Sequence, residues 1–271
     1  MTESKIAAVL LGLLSFAIWP PAEKRTPPNH PIHYLVSTPQ GWTPDRVWPV
    51  LVVITDAERQ FEATADVFEQ ARGSRPFVIV TPLVLGGGGT AQQHLTDFDY
   101  GTAAWDRAAK DGNCRFDDDG LTAVLADVRA RYHTEDKAFI TGWEAGGHVV
   151  LSQALNHPER YRGAVVVTPN YLGRCVTEPP AAHDASAMRL PIRDLVGTLD
   201  TLAQGPIGGQ WRTFENLARS RGFTDLQLMS LPGRGHGALA ADVFETLASW
   251  LPYSSLNAVN GSIRAARRAG R

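Results

Sequence analysis

The sequence predicts an α/β protein built on an open, mostly parallel sheet with helices on both faces. Three observations carry this. Continuous apolar runs rich in β-branched residues recur, such as PVLVVIT at 49–55 and GAVVVTP at 163–169, and such runs suit strands buried on both faces of a parallel sheet. Segments with apolar residues at helical spacing stand between them. The two signals alternate along most of the chain, which is the order of a sheet covered on both sides. A length of 271 residues suits one such domain.

The elements follow in order. IHYLVSTPQGW, from 32, reads as a strand ending in a turn, and PVLVVIT as the next strand. ERQFEATADVFEQAR (58–72) places Phe61, Ala65, Phe68 and Ala71 on one helical face. PFVIVTP (76–82) is a strand. Residues 86–116 carry few element signals, and a long loop after a strand reads as a binding loop or lid. Its Phe98, Tyr100 and Trp105 either line a pocket or pack the loop onto the sheet. LGGGGT (85–90) lacks the Gly-Lys-Ser/Thr of a phosphate loop and reads as a flexible loop. DDDGLTAVLADVRARY (117–132) is a helix with Asp118 or Asp119 as its cap. Its three acids suit a helix N-terminus and lack the alternation of a calcium loop. KAFITG (137–142) is a strand and AGGHVVLSQALNHP (145–158) a helix stopped by Pro158. GAVVVTP and LPIRDLVGTLD (190–200) are strands. GGQWRTFENLARSRG (208–222) is a helix closed by Gly222. LQLMSLPG (226–233) and ALAADVFETLASWL (238–251) are the last strand and helix.

Composition narrows the function. Hydrophobic residues make up 44% and charged residues 20%, the balance of a soluble domain with a sizeable core. A net charge of −2 gives no sign of a nucleic-acid partner. His94, His133, His148, His157 and His183 show no metal-ligand spacing, and no cofactor motif is present. Lys5 precedes the uncharged run IAAVLLGLLSFAIW, and a proline-rich stretch follows. Residues 1–22 therefore read as a signal peptide, with Ala22-Glu23 as the candidate cleavage point, or as an uncleaved anchor. The alternative is a buried N-terminal helix. Residues 21–31 read as a linker, 32–252 as the domain, and 253–271 as a basic, disordered tail. The chain is expected to be exported, with no membrane contact beyond that segment. In that setting Cys114 and Cys175 form a disulfide or remain two buried thiols.

The chemistry concentrates at FITGWEAGGHVV (139–150), an apolar strand, a glycine-flanked turn and a helix start. That is the layout of a nucleophile elbow, G-x-S-x-G, but Glu144 occupies the serine position. In open α/β sheets ligand chemistry lies outside the carboxyl ends of the strands. Three reactive residues fall there: Glu144 after KAFITG, Asp200 at the end of RDLVGTLD, and His236 in PGRGHG. Their order is elbow, acid, histidine. Asp200 is suited to orienting a histidine, and His236 to carrying a proton.

On these residues the chain resembles the α/β-hydrolase superfamily. More narrowly it is similar to secreted esterases of the polyhydroxybutyrate depolymerase and feruloyl esterase type. The resemblance spans roughly residues 32–252. It rests on ITGWEAGGH, on DDDGLTAVLADV before it, on NHPERYRGAVVVTP after it, and on VGTLD and PGRGHG. It implies His236 as base and Asp200 as its orienting acid. It does not carry a nucleophile to this chain, because Glu144 replaces serine. The oxyanion loop departs as well, reading TDAERQF, so that Asp56 brings a carboxylate where donors are needed. The N–H groups of Ala57 and Ala145 are the candidate donors.

Three functional readings follow, each with a small-molecule ligand or substrate. A non-catalytic member would keep the pocket for binding, with Glu144 paired to His236. An active hydrolase would use Glu144 as a carboxylate nucleophile, with Trp143 and Tyr171 as candidate pocket residues by type. A third route would use Ser152 or Ser186, neither of which lies on a strand-to-helix turn.

Overall fold

A computed structural model describes residues 22–87, 98–178, 180 and 182–251. The apolar N-terminal run, the glycine stretch beyond Gly87 and the basic tail lie outside the described residues. Eight strands among those described form one sheet: β1 (Glu23–Arg25), β2 (Tyr34–Ser37), β3 (Val50–Ile54), β4 (Val78–Pro82), β5 (Ala138–Trp143), β6 (Tyr161–Val167), β7 (Ile192–Gly197) and β8 (Leu226–Leu231). Their order is β1-β2-β4-β3-β5-β6-β7-β8. β1 and β2 pair antiparallel, β2 joins β4 antiparallel, and the remaining pairs are parallel.

The helices are α1 (Phe61–Arg72), α2 (Thr102–Asp111), α3 (Asn113–Tyr132), α4 (Ala145–Asn156), α5 (Gln210–Ser220) and α6 (Ala240–Ala248). The apolar runs work as expected. Every residue of β3 is buried, and successive residues point to opposite faces. Val50, Val52 and Ile54 join a core with Val124, Val150 and Phe214, whereas Leu51 and Val53 join Phe68, Val243, Phe244 and Leu247. The chain is thus a mostly parallel sheet covered on both sides.

Three expectations need correction. The linker assigned to 21–31 contains β1, because Glu23–Arg25 find backbone partners along β2. The stretch 102–116 is helical rather than a structureless lid, forming α2 and the first turn of α3. Phe98, Tyr100 and Trp105 pack mutually, with Phe61 and Phe116 adding edge and tilted contacts. Finally, Asp117, Asp118 and Asp119 do not cap α3, which begins at Asn113 behind Gly112. Each acid has a tertiary partner instead. Asp117 accepts the N–H groups of Leu85 and Gly86 at 2.7 and 2.6 Å. Asp118 meets His157, Gln153 and Arg160. Asp119 meets Arg107 and Arg115.

Candidate functional site

The turn between β5 and α4 is as tight as its glycines demand. Glu144 sits at φ 48°, ψ −120°, a conformation a side-chain-bearing residue adopts only when its surroundings impose it. A β-carbon on Gly146 would lie 2.4 Å from the Thr55 carbonyl and 2.5 Å from that of Ile54. α4 therefore rests directly on the end of β3, which only a glycine permits. The Glu144 backbone is pinned from both sides. Its N–H donates to Val167 at 3.1 Å, and its carbonyl accepts from Gly147 at 3.1 Å and Asn170 at 2.8 Å.

The Glu144 carboxylate is half-buried and bound at both oxygens. Oε2 accepts the N–H of Ala57 at 3.4 Å, and Oε1 accepts the side-chain amide of Asn170 at 3.0 Å. No hydrogen bond or ion pair joins it to His236, so the expected pairing of those two residues is absent among the described residues. Ala145 opens α4, and its N–H finds no acceptor among the described residues. Of the two candidate donors, one is therefore taken by Glu144 itself and the other is open.

Both oxygens of Asp56 have partners of their own. Its Oδ1 accepts the Glu58 N–H at 3.2 Å, and its Oδ2 accepts the indole N–H of Trp143 at 3.1 Å. Trp143 is otherwise buried, stacked on Phe68. Tyr171 is buried between His148 and Phe214. Ser152 lies inside α4 with its hydroxyl donated to Val149, and Ser186 belongs to a loop turn with Asp184. Neither serine reaches the elbow.

The other two sequence candidates come together. His236 Nδ1 lies 3.0 Å from Asp200 Oδ2. Asp200 is fully buried, and its Oδ1 takes the N–H groups of Leu202 and Ala203 at 2.9 and 3.2 Å. Its Oδ2 also accepts the Thr168 hydroxyl at 2.8 Å. Burial opposes ionisation, but these donors outweigh it and hold the carboxyl below the usual range. An ionised Asp200 fixes the imidazole with Nδ1–H toward it, which leaves Nε2 as the open nitrogen. One turn along α4, His148 is buried, and burial pushes its imidazole down to about 4. It is a neutral packing residue that accepts the Leu172 N–H at 3.4 Å.

Sequence reasoning missed Asn170, Thr168 and Asp194. The signal was there in part: TPN follows the strand that ends in VVV, so Thr168 and Asn170 stand at the same carboxyl edge. Away from the elbow, Cys114 and Cys175 are joined by a disulfide with Cα atoms 5.1 Å apart. It ties the start of α3 to the loop that carries Asn170.

The sheet order, the turn at Glu144 and the Asp200–His236 pair define an α/β-hydrolase fold. The sequence matches the Esterase family model, described as "Putative esterase", over residues 26–218, and the chain belongs to that family. Solved structures agree on the fold. Poly(aspartic acid) hydrolase-1 from Sphingomonas sp. KT-1 is 16% identical with a TM-score of 0.58, covering 86% of this chain and 100% of that one. The poly(3-hydroxybutyrate) depolymerase from Bordetella parapertussis is 19% identical with a TM-score of 0.55, covering 88% and 94%. A ferulic acid esterase from Anaeromyces mucronatus is 13% identical with a TM-score of 0.56, covering 89% and 94%. No protein of curated function matches the chain.

Proposed function

We propose that this esterase-family chain is a non-catalytic member that binds a small molecule at the carboxyl edge of its sheet. The observation that carries this is the state of Glu144: both carboxylate oxygens are held, by Ala57 N–H and the Asn170 amide, and neither meets His236. Acyl transfer needs a nucleophile activated by the base and free donors for the oxyanion. Here the base has no hydroxyl to activate at the elbow, and a donor is already bound to Glu144 Oε2. The open Nε2 of His236 and the open N–H of Ala145 remain to hold a ligand. Export belongs to the same proposal, since the apolar N-terminal run and the disulfide suit an oxidising compartment.

Hydrolysis of p-nitrophenyl acetate and butyrate tests this. The wild-type chain should not exceed the buffer rate. Glu144→Ser frees Ala57 N–H and supplies a hydroxyl near an intact Asp200–His236 pair, and weak turnover should appear. Wild-type turnover that is lost in His236→Ala would overturn the reading.

A second reading has one observation in its favour. If a Glu144 oxygen attacked an alkyl carbon, displacing a halide or opening an epoxide to form an alkyl ester, water would later attack the ester at Cδ, and negative charge would develop on the Glu144 carbonyl oxygen until the alcohol left. The Ala57 N–H already points at Oε2. This reading expects a mass adduct on the peptide containing 142–147 after exposure to alkyl halides or epoxides. An unmodified peptide together with no turnover across that panel removes it.

A further inference from the structure

Behind Asp200 lies a buried chain of contacts that neither functional reading uses. Thr168 follows β6 at φ 44°, a conformation rare for a β-branched residue. Its N–H is shared between the Leu195 carbonyl and Asp194 Oδ1, each at 3.2 Å. Its hydroxyl donates to Asp200 Oδ2 at 2.8 Å, the same oxygen that meets His236 Nδ1 at 3.0 Å. Asp194 lies on β7, 1% exposed, beside Val166 of β6 and Leu228 of β8. It has no basic partner among the described residues. Burial pushes its carboxyl up to about 8, against the Thr168 N–H that pulls it down and with the charge of Asp200 adding to the rise, which favours the neutral form.

We propose that Asp194 is a positioning residue for His236, acting through Thr168 and Asp200. The strained residue is the link. Thr168 aims its hydroxyl at Asp200 from a left-handed conformation, and strained backbone persists where surroundings over-determine it. Asp194 supplies one of the two acceptors that hold its N–H. A charged carboxylate at 194 would sit unpaired against Asp200, whereas the neutral carboxyl accepts from Thr168 without that repulsion. The side chain is thus suited to holding the acid of the pair without competing for the imidazole. The proposal rests on the reading of this edge as the working site, but it concerns the geometry of His236 rather than what binds there.

The test reads the Nδ1 proton of His236 by NMR in the full chain, where its hydrogen bond to Asp200 slows exchange with water. Asp194→Asn keeps an acceptor for the Thr168 N–H, and Thr168→Ser keeps the hydroxyl, so both should retain the slow signal at pH 7. Asp194→Ala and Thr168→Val should exchange about tenfold faster, the factor expected for one lost hydrogen bond. Val166→Ala, a core truncation beside Asp194 that removes none of these hydrogen-bonding groups, should leave the signal unchanged. Circular dichroism identifies any variant that fails to fold; Thr168→Val and Thr168→Ser then decide alone. An unchanged rate in Asp194→Ala or Thr168→Val, or an equal loss in Asp194→Asn, overturns the proposal. The measurement needs neither ligand nor turnover, so it stands apart from the ester assay that tests the binding reading.

Discussion

Gly146 shows how little freedom the elbow leaves at a single residue. A methyl there would press on two backbone carbonyls of the β3 exit, neither of which can rotate aside. Gly146→Ala should cost about 1–3 kcal/mol, as overpacking does, read as a lower urea midpoint with an unchanged slope. The same close approach makes the turn legible in the sequence, since Gly142, Gly146 and Gly147 crowd one strand-to-helix junction where a backbone must pass close by. Glu144, Asp200 and His236 were legible for a related reason: each follows closely on a recognisable strand. Asp194 was not, and Thr168 and Asn170 were legible only by their place after a strand. Their importance comes from partners 26 or 32 positions away, and nothing in their own neighbourhoods distinguishes an amide holding a carboxylate from one facing water. The partners of Asp56 were hidden in the same way: its position after β3 gave no sign of the Glu58 N–H and the Trp143 indole that hold its two oxygens.

At the scale of elements, the helices were found wherever one face is apolar and the ends are marked. The first half of α3 broke that pattern. Its acids look like an N-terminal cluster, yet they lie in the second turn because Leu85, Gly86, His157, Arg160 and Arg107 supply them with partners across the fold. The Cys114–Cys175 bridge closes a loop of sequence separation 61 around this region. Loop-closure entropy sets its contribution at about 4 kcal/mol as an upper figure. The double variant Cys114→Ser, Cys175→Ser should lose about 2–4 kcal/mol by denaturant unfolding. Wild-type protein with reductant should approach it. An equal stability of the two forms would mean that the loop is held by Asn156 and its neighbours alone, through the bonds Asn156 makes to Cys175 and Thr177.

The whole molecule carries an electrostatic cost that pH can expose. Asp194 remains protonated to about pH 8 in the fold, whereas an aspartate in an unfolded chain ionises near 4. Across that window the native state holds more protons than the unfolded one, so stability falls as pH rises, by at most about 1.4 kcal/mol per unit, and levels off above 8. Asp194→Asn removes this dependence, so its Tm should gain on the wild type steadily from pH 4 to 8 in paired calorimetry. A constant difference would show that Asp194 is ionised in the fold. Asp118 works with the opposite sign: burial opposes its charge, but His157, Gln153 and Arg160 prevail and hold it below its ordinary value. The stability it gives is present above about pH 4 and is lost as acid protonates it, equally in both proteins. At the margin of the sheet, β1 is only three residues long and wholly polar, with Lys24 bonded to Asp99. The strand behind it, β2, is buried throughout. A chain beginning after Arg25 would present Tyr34, Leu35 and Val36 with bare backbone, a template on which the strand of another copy can add. Among the described residues the sheet thus ends on three charged residues, the kind of short, charged edge that disfavours the addition of a further strand.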